Sequence, residues 1–347
     1  MSIKKLNLFV EDPGSSNFAL NLNKLLIKSN INVKTYASGI SKGYLKTYNQ
    51  TFIDFDLNNK IDYNCDLFIF GTSENLKSPV KKIFKKAKIN NSKIGVIIDA
   101  PNSIFERLKF FDADLNCENI DYLFVSDNKT KIEIQKKKVI NTKKILDVLN
   151  PKFQWIKDQN FKIKKTKTKK IIFLSELSSG LNNHNFLKNN SYKIAGYSNS
   201  QFRTEIVFEE LLITLENFKS KFELIVRLHP KENKNLYEAY KLKIDKLSLN
   251  ENPFSVLCQA DLVIGLTSNM LCEACLLNIP VLSVTPRKKE FEWINSDFKK
   301  SIYNVNDRSK LKVYLKKFFE GKIKYKQVIF KKKKFSDTII SLLSKIS

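Results

Sequence analysis

The stretch 260-ADLVIGLTSNMLCEACLLNIPVLSV-284 reads as strand, turn, helix and strand in succession. Leu262–Gly265 is short and apolar. It gives way to Leu266-Thr267-Ser268-Asn269, whose small polar side chains suit a helix N-terminus. MLCEACLL follows with apolar residues at helical spacing, and Val281–Val284 is apolar again. Two buried strands joined through a helix belong to a parallel sheet, so this stretch predicts an α/β fold.

The same alternation extends in both directions. Apolar runs predict strands at Leu6–Val10, Val33–Ala37, Leu67–Gly71, Ile94–Ile98, Tyr122–Val125 and Ile145–Val148, and then at Ile171–Ser175 and Leu224–Leu228. Helical patterns fall between them at 17–30, at 78–89 behind Ser78-Pro79, and at 204–221. The lysine-rich 154–170 interrupts the series. The expected organisation is a Rossmann-like domain over 1–153, a basic linker over 154–170, a second Rossmann-like domain over 171–310, and basic helices over 311–347. A chain of 347 residues with 42% hydrophobic content supports two such cores.

No 18-residue apolar run is present, so no membrane span is expected. The N-terminal MSIKKLNLFVEDPG ends its apolar run in Glu11-Asp12, not at a small-residue cleavage site, and reads as a strand. Five scattered cysteines make no disulfide framework and point to a reducing cytoplasm. Cys272 and Cys275 lie three apart on an apolar helix, which reads as packing. A zinc site would want further ligands at motif spacing.

The formal charge of +26 is mostly lysine, in a chain also rich in Asn and Ile. An AT-biased genome writes that mixture on solvated faces. What survives this discount favours anionic partners, namely nucleotide phosphates, an acidic membrane surface or nucleic acid. The interleaved aromatics of an RNA-binding face are missing, so nucleic acid is not expected. Lys331–Lys334 precede the amphipathic FSDTIISLLSKI. That segment is either a helix packed on a domain or a peripheral contact with anionic lipid on the inner face of the cytoplasmic membrane.

Ligands of open parallel sheets bind beyond the carboxyl ends of the strands. The residues at those positions are Glu11-Asp12-Pro13-Gly14, then Asp99-Ala100-Pro101-Asn102, Ser175-Glu176, Arg227-Leu228-His229-Pro230, Thr267-Ser268-Asn269 and Thr285-Pro286-Arg287. Gly14 lets backbone approach a ligand. His229 reads either as a hydrogen-bonded structural histidine or as a donor which, with the Thr267–Asn269 helix start, holds a diphosphate or phosphodiester. Glu273 sits inside an apolar helix, where a carboxylate is expensive unless it is paired or binds something. It accepts either from ribose hydroxyls or from a lysine.

These residues resemble GT-B glycosyltransferases. 225-IVRLHPKE-232 and 260–284 look like the nucleotide-binding half of that family. 9-FVEDPGSSN-17 looks like its Asp-Pro-Gly-x-Asn loop, and 121–134 with 148-VLNPKFQWI-156 looks like its interdomain entry. The His-Pro pair ahead of a Ser/Thr helix start is also similar to bacterial sialyl- and polysialyltransferases and to CDP-glycerol glycerophosphotransferases. The resemblance implies two domains facing a cleft, an N-terminal acceptor domain and a C-terminal nucleotide-sugar domain. It covers about residues 5–300 and lacks the acidic-acidic-Gly acceptor motif of some sialyltransferases.

The implied reaction moves a sugar from a nucleotide-activated donor to a glycan or lipid-linked glycan acceptor in bacterial surface polysaccharide synthesis. His229, the Thr267–Ser268 amides and Arg227 or Arg287 would steady the leaving phosphate. Asp12 or Asp99 would act as base if transfer inverts. Ser175, Glu176, Pro230, Asn269 and Glu273 complete the expected donor site. The nucleotide-sugar is a substrate, so no cofactor is expected. Asp112-Ala113-Asp114 has the form of a metal-binding D-x-D but reads as a chance pair, so no metal is expected. Two other chemistries remain open, an epimerase resembling UDP-N-acetylglucosamine 2-epimerase and a CDP-glycerol-type phosphotransferase. So does a degenerate, non-catalytic member of the fold.

Overall fold

A computed structural model describes residues 3–346 apart from 59, 74, 76, 100–103, 112–114, 116, 160, 165, 178–186, 198–199 and 230–231. Two compact units are present. One comprises Met1–Asp158 with Phe330–Ser347, the other Gln159–Ile329.

In the first unit the described strands are β1 (Lys4–Val10), β2 (Ile31–Ala37), β3 (Ile53–Asp54), β4 (Leu67–Gly71), β5 (Lys93–Ile98), β6 (Tyr122–Val125) and β7 (Ile145–Leu149). In the second they are β8 (Lys169–Leu174), β9 (Phe222–Arg227), β10 (Lys246–Ser248), β11 (Leu262–Gly265), β12 (Val281–Val284) and β13 (Tyr303–Val305). A last strand, β14 (Lys333–Lys334), returns to the first sheet. The sheet orders are β14-β7-β6-β5-β4-β1-β2-β3 and β10-β9-β8-β11-β12-β13. Every ladder between these strands is parallel. The second order is the doubly wound one, reversing direction between β8 and β11. The first sheet reverses between β1 and β4. Those reversals open the crevices in which such sheets take ligands.

Burial on both faces explains why the strands read as unbroken apolar runs. Leu67–Gly71, Leu262–Gly265 and Val281–Val284 are buried at every residue. Strand starts are pinned by a repeated device. Asp66, Asp121, Asp245 and Asp261 each precede a strand. They accept from the backbone N–H groups of Lys5, Ile94, Leu224 and Lys170 on the strand alongside, at 2.7, 2.9, 2.6 and 2.9 Å. These four carboxylates lie at the amino ends of the strands, so they hold register, at the end away from the ligand crevices.

Three expectations change. The helix expected over 17–30 is broken into Leu22–Leu26 flanked by short 3-10 turns, because Asn21 and Asn30 take left-handed conformations (φ 56° and 57°), which asparagine tolerates. The basic linker at 154–170 is partly helical, since the helix Pro151–Asp158 buries Phe153 and Ile156. The C-terminal helices do not stay together. Arg308–Phe319 packs in the second unit, while Phe335–Leu343 joins the first unit's core. There Phe335 meets Phe18 and Phe124 edge-on at 5.0 and 5.1 Å, and Ile339 and Leu343 are buried beside it. Of the two readings of this segment, a helix packed on a domain or a lipid contact, its apolar face follows the first. No helix among the described residues is long and apolar enough to cross a membrane.

Candidate functional site

The crevice between β8 and β11 gathers most of the expected C-terminal residues. Ser175 and Glu176 follow β8; Thr267 and Ser268 follow β11. The helix Asn269–Leu276 starts there, with the Ser268 hydroxyl accepting from the Met270 N–H at 3.2 Å. Its open backbone donors are met by Glu176. That carboxylate accepts from the N–H of Thr267, from the N–H of Ser268 at 2.6 Å and from the Thr267 hydroxyl at 3.0 Å. A helix start that attracts anions has drawn one from its own chain.

Arg203, unforeseen in the sequence, holds this arrangement together. It begins the helix Arg203–Leu215 and is 1% exposed. Its three nitrogens donate to three acceptors: Glu290 at 2.6 Å, Glu176 at 3.1 Å and the Thr267 hydroxyl at 2.9 Å. Arg287 donates to the other oxygen of Glu290, and the Trp293 ring lies 5.0 Å from the Arg203 guanidinium. Arg203, Arg287 and Glu290 are therefore buried with the half-buried Glu176 as a balanced set, the condition under which burying charge is tolerated.

The remaining C-terminal candidates divide. Arg287 is in the network, 4% exposed. Arg227 is turned the other way. It lies opposite Ser248 in the β9–β10 ladder and donates to its hydroxyl at 2.9 Å. Cross-strand pairing engages one nitrogen of the side chain, and burial depresses its proton affinity. His229 is half-buried, and its backbone N–H donates to Glu232 at 3.2 Å. Pro230, His184 and the pair Asp112 and Asp114 lie outside the described residues. Asn269 is exposed at the first turn of its helix, and Glu273 is 3% exposed one turn on. Ser175 shares a 2.6 Å hydroxyl contact with Tyr237. Cys272 and Cys275 are buried in packing, and desolvation pushes the Cys275 thiol up to about 12, far from a reactive thiolate.

In the first unit the β1–β4 crevice brings Gly14 and Asp99 together. A Cβ on Gly14 would lie 1.7 Å from Asp99 Oδ2, so any other residue there must push the Asp99 carboxylate aside. Asp99 is paired with Arg107 at 2.7 Å, and the same Arg107 nitrogen donates to the Thr72 hydroxyl at 3.2 Å. Asp12 precedes the short helix Pro13–Ser16, and its carbonyl accepts from the hydroxyls of Ser15 and Ser16 at 3.0 and 2.8 Å.

One signal for the missed residues was present. The chain has five arginines among 61 basic residues. Each meets a polar side chain: Arg107 meets Asp99, Arg203 meets Glu290 and Glu176, Arg227 meets Ser248, Arg287 meets Glu290, and Arg308 meets Glu210; Arg203 and Arg308 use more than one nitrogen of the planar fork. In so lysine-rich a chain, the few arginines are the basic residues to place first.

Comparison with known proteins follows this geometry. A family model described as a protein of unknown function (DUF354) matches residues 172–291. No curated protein sequence matches the chain significantly. Among solved structures, a Listeria monocytogenes protein assigned as a UDP-N-acetylglucosamine 2-epimerase is 12% identical, with TM-score 0.61 over 92% of this chain and 88% of that one. Anabaena HepE in complex with UDP-glucose is 10% identical, with TM-score 0.54 over 99% and 96%. The lipopolysaccharide outer core galactosyltransferase WaaB is 14% identical, with TM-score 0.53 over 99% and 95%. With two parallel α/β units in these strand orders and this likeness, the chain has the GT-B glycosyltransferase-like fold.

Proposed function

We propose that the chain is a glycosyltransferase. It moves a sugar from a nucleotide-activated donor to a glycan or lipid-linked glycan acceptor in bacterial surface polysaccharide synthesis. The observation that carries this reading is the β8–β11 crevice. There two backbone amides, a hydroxyl and the Arg203 guanidinium all converge on one carboxylate. Such a set of donors equally suits the oxygens of a nucleotide phosphate, with Glu176 giving up its place when the donor enters. Negative charge that develops on the leaving phosphate would meet fixed donors there. His229, at the end of β9, adds a donor from the neighbouring strand. HepE, of the same fold, holds UDP-glucose.

For the acceptor hydroxyl, Asp12 and Asp99 flank the β1–β4 crevice. Either is a candidate for a base, Asp99 from beside Arg107 at 2.7 Å and Asp12 from the start of the Pro13–Ser16 helix. Glu273, buried one turn into the helix, would accept from ribose hydroxyls. The nucleotide-sugar serves as a substrate, with no metal or cofactor assigned a role.

An epimerase is the second reading, favoured by the likeness to the Listeria monocytogenes protein. One experiment separates the two. The purified chain is incubated with CMP-, CDP-, UDP- and GDP-sugars, with and without oligosaccharide acceptors, and the products are resolved. Acceptor-dependent release of nucleotide supports transfer. An epimerised nucleotide-sugar formed without acceptor supports the second reading and removes the first.

A further inference from the structure

Beside the β8–β11 crevice lies a cavity of ≈130 Å3 that the phosphate site does not use. Its walls include four aromatic rings, Phe202, Phe208, Tyr237 and Tyr240, and two carboxylates, Glu205 and Glu232. It touches the phosphate site directly. Tyr237 meets the Ser175 hydroxyl at 2.6 Å, Glu232 accepts from the His229 N–H at 3.2 Å, and Thr204 donates to the Glu176 carbonyl at 2.7 Å. A group joined through a ribose to a phosphate at Thr267–Ser268 would therefore find this cavity next door.

We infer that the cavity receives the base of the donor nucleotide, and that the base is guanine. This rests on the nucleotide-sugar reading of the same crevice. Three features support it. Aromatic walls suit a flat ring system. The volume equals that of about four waters at roughly 30 Å3 each, the scale of one flat ring system. The third feature is the balance of donors and acceptors. Tyr240 donates to Glu209 at 2.6 Å, Tyr237 is engaged with Ser175, and Thr204 donates to Glu176. The acceptors left in the lining are the carboxylates of Glu205, which also takes the Tyr240 hydroxyl at 3.5 Å, and of Glu232, which also takes the His229 N–H at 3.2 Å.

Guanine carries a ring N–H beside an exocyclic amino group, two donors that a carboxylate accepts side by side. Uracil flanks its ring N–H with two carbonyl oxygens, which a carboxylate repels. Cytosine and adenine set their amino group beside a ring nitrogen that itself needs a donor. Burial pushes both carboxyls up, and a pair of donors would offset that desolvation.

The test is calorimetric titration of the full chain with GDP, CDP, UDP and ADP, for the wild type, Glu232→Gln and Glu205→Gln, with thermal melts confirming that each variant folds. GDP is expected to bind tightest, by roughly tenfold or more over the other three. Each substitution is expected to weaken GDP by a similar factor and to leave UDP unchanged. If UDP, CDP or ADP binds as tightly as GDP, or if a GDP preference survives both substitutions, the guanine site is overturned while the donor reading stands. If none of the four binds, both fall.

Discussion

Ser268 presents its backbone N–H to the carboxylate of Glu176 at 2.6 Å, so a side chain from the end of one strand closes the helix that starts beyond another. A phosphate entering here must displace that carboxylate. Replacing Glu176 by Gln removes the competing charge and keeps its shape. Nucleoside diphosphate affinity should then rise roughly tenfold, about 1.4 kcal/mol, by calorimetry. Unchanged or weaker binding would place the phosphate elsewhere.

Arg203 is the structural centre of the second unit's site. Removing it leaves the fully buried Glu290 with only Arg287. Arg203→Leu should destabilise the chain by roughly 3–5 kcal/mol in urea unfolding, the usual cost of stranding a buried charge. Arg203→Lys should recover little of this, because one ammonium cannot reach three separate acceptors. A lysine variant as stable as the wild type would refute the role given to the fork.

Gly14 and Asp99 should be coupled. Gly14→Ala forces the Asp99 carboxylate aside, which we expect to cost about 1–3 kcal/mol. In an Asp99→Ala background the nearest remaining atom of that residue is its Cβ at 3.5 Å, an ordinary contact, so the alanine should then cost much less. A double-mutant cycle measures the difference, and strict additivity would show that the two residues do not share the crevice.

Glu232 carries a pH signature. Burial raises its folded carboxyl above the unfolded value, so the native state favours the protonated form. The associated stability is complete below the unfolded value of about 4.3 and is lost as pH rises through the folded value. Glu232→Gln, which keeps an acceptor for the His229 N–H, should therefore raise Tm relative to wild type at neutral pH and lose that advantage in acid. Parallel melting curves at both pH values would contradict this.

Phe335 ties the chain's end into the first unit. Phe335→Ala removes contacts with Phe18 and Phe124 and should cost about 3–5 kcal/mol, read by denaturant unfolding. A loss under about 1 kcal/mol, the range of ordinary surface changes, would indicate that the helix is only loosely attached.

What the sequence disclosed and what it concealed follow from range. Periodicity is local, so ten of the fourteen described strands were legible as apolar runs. The four missed, β3, β10, β13 and β14, are two or three residues long and lie toward sheet edges. Gly14, Asp99, Glu176, Thr267 and Ser268 could be singled out because strand ends are local features too. Arg203 was missed because it follows no strand and enters the site from the start of a helix, through partners 27, 64 and 87 residues away. The 17–30 helix was overread because two asparagines accept a left-handed turn that apolar spacing does not register. Phe335–Leu343 has an amphipathic pattern that fits a lipid surface as well as a protein core, and its packing beside β14, which pairs with β7, depends on contacts too distant in sequence for periodicity to register.

The central claim is that the helix start at Thr267–Ser268 is a nucleotide phosphate site, and ligand-induced stabilisation tests it most directly. Thermal unfolding of the full chain is followed with CMP, CDP, UDP, GDP and their sugars. At about 100 times its dissociation constant, the correct nucleotide should add roughly 2.7 kcal/mol. A Ser268→Pro variant, lacking the N–H, should lose most of that gain. Stabilisation undiminished in this variant, or no response to any nucleotide, would contradict the account.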